Sequence, residues 1–237
     1  MMARSLLCAA LLAAAPAFGQ GMDATYDLSL LGITGGTIAL RGRDQGDSYS
    51  ISSAAKATGM VGSLLKYGYE GRAQGRIQGG RHISSEYVEI EFDDGERTSS
   101  VTLFDGTTPA SVTFDPPREP KTYDIDPQAQ SDVIDPLTAL YLVLRPTAPG
   151  AACNTQFDTF DGRHVARLTL GPAQAAENGT LTCEGEYLRL RGYSAKDLER
   201  QPNALMTFTL TPVDDGKVQV SEITSRTRLG VAVLRRR

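Results

Sequence analysis

Only two histidines occur in the chain, His82 and His164. A metal site needs several nitrogen, sulfur or carboxylate ligands at short recurring spacings, and neither histidine has a second His or Cys beside it. A serine nucleophile on a strained elbow needs Gly-x-Ser-x-Gly. Gly192-Tyr193-Ser194-Ala195-Lys196 comes nearest and fails at its last position. There is no Walker loop and no dinucleotide fingerprint. Of the acidic neighbours Asp93-Asp94, Asp124 with Asp126, and Asp214-Asp215, the first and last sit against a glycine, in turns. There a carboxylate serves local hydrogen bonding more readily than acid–base work. Catalytic carboxylates would have to converge from separate strands. The expectation is no catalytic residue, no metal and no cofactor.

Cysteine chemistry depends on where the chain resides. Cys8 lies in an apolar run from Leu6 to Ala17, which follows Arg4 and ends in Ala17-Phe18-Gly19. The run suits a signal-peptide core and is too short to span a bilayer. Leu7 before Cys8 argues against a lipoprotein signal. We expect residues 1–19 to be a signal peptide, cleaved between Gly19 and Gln20. The expected mature chain, 20–237, has no transmembrane segment. Arg outnumbers Lys, as in a GC-rich bacterium, which makes the periplasm the expected compartment. Cys153 and Cys183 then read as a disulfide, with two buried free thiols as the alternative. Closing that loop stabilises by about 3.7 kcal/mol in the chain-entropy model.

The most unusual stretch runs from Gly71 to Gly79. As a strand, one face carries Gly71, Ala73, Gly75, Ile77 and Gly79, and the other Arg72, Gln74, Arg76 and Gln78. So little side-chain volume leaves space beside the strand. A sharp bend or the close packing of a helix could use it; so could a ligand inside a curled sheet. The candidate cavity-lining set is these five residues with Leu140, Tyr141 and Leu144.

Period-two alternation must position those groups. Tyr26, Leu28 and Leu30 alternate with polar residues, as do Val88, Ile90 and Phe92, and Met206, Phe208 and Leu210. Asp94-Gly95, Asp105-Gly106, Asp161-Gly162 and Asp215-Gly216 supply hairpin turns. Together they predict an antiparallel meander that curls or closes to manage its edges. One helix interrupts it. Asp135 caps, Pro136 opens, Leu137, Leu140, Tyr141 and Leu144 recur at helical spacing, and Pro146 ends it. A second single turn is expected over Val61 to Lys66. Residues 115–131 hold four prolines and read as a long loop within one β-rich domain. The terminal Arg235, Arg236 and Arg237 read as solvated charge, with contact to anionic headgroups as the alternative.

These landmarks resemble the bacterial exported family called domain of unknown function 3108. The resemblance rests on Tyr26 and Leu28, on Asp135-Pro136-Leu137-Thr138-Ala139-Leu140-Tyr141, and on Phe160-Asp161-Gly162-Arg163. Cys183-x-Gly185-x-Tyr187 with Gly192, and Arg228-Leu229-Gly230, complete it. It implies a periplasmic antiparallel β protein, distantly similar to the open barrels of lipoprotein carriers. It carries over no functional residue.

Composition narrows the function classes. A net charge of -4 and 41% hydrophobic residues exclude a disordered chain and disfavour a nucleic-acid binder. The leading expectation is a non-enzymatic periplasmic protein that binds a lipid or another apolar molecule. The alternatives are an envelope structural or assembly factor acting by protein contact and, more distantly, a carboxylate-based hydrolase.

Overall fold

The computed structural model describes residues 21–64 and 66–237. The expected signal peptide, its cleavage point and Cys8 lie outside them. The strands are β1 (Gly21–Leu30), β2 (Ile33–Gln45), β3 (Ser48–Ala57), β4 (Tyr67–Gln78), β5 (Arg81–Asp93), β6 (Glu96–Asp105) and β7 (Thr108–Asp115). After a long connection come β8 (Thr155–Phe160), β9 (Val165–Leu170), β10 (Gln174–Ala175) and β11 (Leu181–Arg191). The last are β12 (Asn203–Pro212), β13 (Val218–Thr227) and β14 (Gly230–Arg236). The helices are α1 (Gly59–Leu64), α2 (Pro136–Leu144) and α3 (Ala195–Arg200).

All fourteen strands belong to one antiparallel sheet in the order β7-β6-β5-β4-β3-β2-β1-β14-β13-β12-β11-β9-β8, with β10 beside β11. Two meanders therefore meet where the first strand pairs with the last, Tyr26 opposite Arg236. Each expected Asp-Gly pair joins neighbouring antiparallel strands, and Asp94 and Asp215 take the positive φ that such turns require. The terminal arginines are ladder residues rather than a loose tail. Arg235 pairs with Glu222, Arg236 bonds Gln219 and Arg237 grips Asp27.

A sheet this long curls until its outer strands, β7 and β8, approach each other. The proline-rich connection fastens them. Gln128 Nε2 donates to the Ala110 carbonyl of β7, and Val133 N donates to Thr107 O at 3.1 Å. On the other side, Ile134 N donates to Asp158 O at 3.0 Å, and Phe160 N donates back to Ile134 O at 2.9 Å. The β8 edge is thus occupied by backbone of the connection, and β7 is tied by the Gln128 side chain and by a backbone bond just before the strand.

Helix α2 enters this nearly closed barrel. Asp135 is fully buried and caps it, accepting from Thr138 N at 2.7 Å, Thr138 Oγ1 at 2.6 Å and Ser84 Oγ at 2.6 Å. Burial raises the Asp135 pKa, and the Ser84 and Thr138 hydrogen bonds oppose that rise. Leu137, Tyr141, Val143 and Leu144 join Leu40, Tyr49, Ile51, Ala73, Phe208 and Val220 in the main core. The barrel is therefore packed by a helix, as the Asp-Pro start and apolar spacing of that segment predict.

One turn breaks the usual rule. Leu31 and Gly32 join β1 to β2 with φ of 53° and 80°. Such a turn favours Asn-Gly, and a leucine in the left-handed region costs about 1 kcal/mol.

Candidate functional site

The register defines two ends of the barrel. One carries the β2–β3, β4–β5 and β12–β13 turns; the other carries the β1–β2, β5–β6, β8–β9 and β13–β14 turns. Each end holds one of the two histidines against an aspartate.

At the β2–β3 end, Asp44 of β2 gathers three donors, one from β5 and two from α2 and its C-terminal cap. His82 Nε2 of β5 donates to Oδ1 at 3.1 Å, Tyr141 Oη of α2 to the same oxygen at 3.0 Å, and Arg145 Nη1 to Oδ2 at 2.7 Å. The carboxylate must be the acceptor toward His82, so that ring nitrogen carries a proton. The Tyr49 ring lies 4.8 Å from the His82 ring. Burial pulls the His82 pKa down, against the pull of Asp44 in the other direction. Burial and then the Asp44 charge push the Tyr141 phenol up to about 12. A cavity of about 350 Å³ opens beside this cluster, between the end of α2 and β8. Ile134, Leu142, Val143 and Phe157 supply apolar wall, Arg81 and Arg145 cationic wall, and Asp132 and the Arg167-paired Asp158 acidic wall.

At the β1–β2 end, His164 and Asp161 sit in one turn. Asp161 Oδ1 accepts from the backbone N–H groups of Arg163 and His164 at 2.8 and 2.7 Å, and Oδ2 meets His164 Nδ1 at 2.9 Å. Burial works to raise Asp161, but the His164 contact and the backbone donors outweigh it and hold the carboxyl below its usual range. The Tyr193 ring stacks on His164 at 4.3 Å. Nearby, Tyr69 Oη, Tyr87 Oη and Glu89 form a chain of 2.8 Å hydrogen bonds. Burial raises the Glu89 pKa, and the Tyr87 hydrogen bond opposes this. Glu89 fronts a smaller cavity of about 210 Å³ with Ser100, Phe114, Arg118 and Arg163.

The candidate lining residues are only partly brought together. Ala73, Tyr141 and Leu144 share the core, with Ile77 and Leu140 packed against it. Gly71 and Gly75 face rings rather than open space. A Cβ on Gly71 would meet Tyr69 Oη at 2.7 Å; one on Gly75 would meet the Tyr49 ring at 2.6 Å and collide with the Ile83 carbonyl. Gly79 turns away in the β4–β5 hairpin with positive φ and nothing near it. The low volume of β4 thus accommodates tyrosines sent from β3 and from β4 itself. The glycine that meets α2 is Gly42 of β2, where a Cβ would collide with the Tyr141 ring.

Cys153 and Cys183 are buried in the core at disulfide distance, with Cα atoms 6.1 Å apart. Among the described residues no cluster of His, Cys, Asp and Glu could hold a metal ion. Nor is any helix among them long and apolar enough to cross a membrane. Asp44 and Arg145 escaped the sequence reading. The one available signal was the position of Arg145 at the end of the helix, one residue before Pro146.

The model of a family described as protein of unknown function, DUF3108, matches residues 25–223. No curated protein and no solved structure matches the chain.

Proposed function

We propose, for a chain that belongs to the DUF3108 family, a non-enzymatic role in the bacterial periplasm: binding a lipid or another molecule with an apolar body and an anionic end. The observation that carries this reading is the cavity beside Asp44, His82 and Arg145. Its volume, about 350 Å³, lies within the ~300–1,000 Å³ typical of small-molecule sites. Leu142, Val143 and Phe157 offer the apolar body a wall, and Arg81 offers the anionic end a cation. Arg145 is already neutralised by Asp44, so Arg81 is the better partner for a ligand charge. The glycine face of β4 is not part of this site. The expected signal peptide and the cysteine pair support an exported protein, since a disulfide persists in an oxidising compartment.

Native mass spectrometry of protein isolated from a bacterial periplasm tests the reading. The expected result is an added mass that disappears on denaturation and proves apolar or amphipathic. Replacing half-buried Leu142 by Trp should fill the cavity and abolish the added mass while the protein stays folded. A bare wild-type mass, with no uptake of a fluorescent fatty acid, would overturn the proposal.

A further inference from the structure

At the end of the barrel opposite the cavity, two hairpin tips lie side by side. The β1–β2 tip presents Leu31 and Ile33, which are 67% and 56% exposed, and the β13–β14 tip presents Leu229 and Val231, 72% and 46% exposed. The tips are fastened together. Leu31 N donates to Val231 O at 3.1 Å, and Leu31 packs so closely on Gly230 that a Cβ there would collide with it. Four large apolar side chains are thus gathered on one convex surface, where monomeric proteins rarely concentrate them. Leu31 is also the residue held in a left-handed turn that Asn would occupy with less strain. Neither local backbone preference nor burial explains a leucine at that position.

The two tips themselves carry cations and no acid; Asp27, level with Lys56, is held by Arg237, and α3, whose Arg200 carbonyl accepts from Arg228, brings Asp197 and Glu199 nearby. No Asp or Glu occurs from Leu28 to Arg43, or from Ile223 to Arg237. Arg226 and Arg228 sit on the β13–β14 tip, and exposed Lys56 lies at the end of β3, opposite Thr37 of β2. Apolar tips whose own charges, Arg226 and Arg228, are cationic match a bilayer surface with anionic headgroups, where apolar groups enter the headgroup layer and cations meet phosphates. A second copy of this chain fits less well. Twofold tip-to-tip contact would gather Arg226 and Arg228 of both copies into one interface, with no acid on either tip to offset them.

We propose that the paired hairpin tips dock this protein on an anionic lipid bilayer, Leu31, Ile33, Leu229 and Val231 inserting and Arg226, Arg228 and Lys56 holding the headgroups. This surface is independent of the cavity. The protein would face the membrane with one end and open its cavity at the other.

Flotation of the chain, as expressed and processed by the cell, tests the proposal. The vesicles are phosphatidylcholine alone or phosphatidylcholine with phosphatidylglycerol. Binding should favour the anionic vesicles and weaken about fivefold for each of Arg226→Gln and Arg228→Gln. Leu229→Ser should weaken it by about tenfold or more. Leu31→Asn is the sharpest variant, because its two effects have opposite signs: the melting temperature should rise while vesicle binding falls. Leu142→Trp should fill the cavity and exclude its ligand yet leave flotation unchanged, so failure of the cavity reading can be told from failure of this one. Equal flotation on both vesicle types would overturn the proposal. So would a Leu31→Asn protein that floats as well as wild type, or a Leu31-dependent dimer in solution without vesicle binding.

Discussion

The two histidine–aspartate pairs have similar bond lengths and different architectures. His164 and Asp161 are three residues apart, and the same carboxylate caps the backbone of their own turn. That pair needs little beyond one hairpin. His82 and Asp44 come from β5 and β2, two strands not adjacent in the sheet, and the same carboxylate also takes Tyr141 of α2 and Arg145 at its end. The first is a local device that shapes a turn. The second reports whether the helix is seated in the barrel, and it stands beside the larger cavity. Equal geometry at a histidine thus says little about its role; what matters is how many separate elements must agree to produce it.

Substitutions can break this contrast, and the largest effect is expected at Asp44. Asp44→Ala removes the carboxylate shared by Arg145, Tyr141 and His82 and leaves the largely buried Arg145 charge uncompensated, at a cost of about 3 kcal/mol. Urea denaturation measures it; a loss as small as that of an exposed ion pair would mean the helix is seated by its apolar face alone. Gly42→Ala comes next. Its methyl group displaces Tyr141 and should cost about 1–3 kcal/mol by overpacking. The NMR signals of His82 should move and those of His164 should not. Asp161→Ala should cost about 1–2 kcal/mol, with the structural change confined to the β8–β9 turn. A shift reaching α2 would erase the distinction between a local and a global pair.

The smallest effect is the pH dependence carried by His82. Its folded pKa lies below the unfolded value of about 6.5, so the unfolded chain binds the extra proton first as pH falls. The corresponding stability is fully present above about pH 6.5 and is lost as pH drops toward the folded pKa. His82→Gln should flatten that part of the stability–pH curve. An unchanged curve would assign the acid sensitivity to carboxylates such as Asp161, whose depressed pKa contributes stability lost at lower pH.

Much of the fold is legible in the sequence because its signals are local. Alternation places Tyr26 and Phe208 inward, Asp-Gly pairs mark four turns, and Asp135-Pro136 starts the helix where α2 begins. The candidate site is less legible because it is built from long-range contacts. Nothing near Asp44 announces Arg145, and the glycines of β4 look like vacant space until Tyr49 and Tyr69 are seen against them. The Leu31-Gly32 turn hides for another reason: a leucine there contradicts the turn preference that would have revealed it.

The meeting of the first and last strands sets the order of events during synthesis. Strand β1 emerges early, yet Asp27 must wait for Arg237, 210 residues later, to complete its side of the ladder. The first seven strands can pair as a meander while the chain grows, but β1 keeps an unpaired flank until β14 follows. A chain stopped anywhere before β14 would expose that flank as a ready template for strands of other molecules. Truncation products should therefore aggregate through β1, which makes the C-terminal strand the barrel's closing stitch.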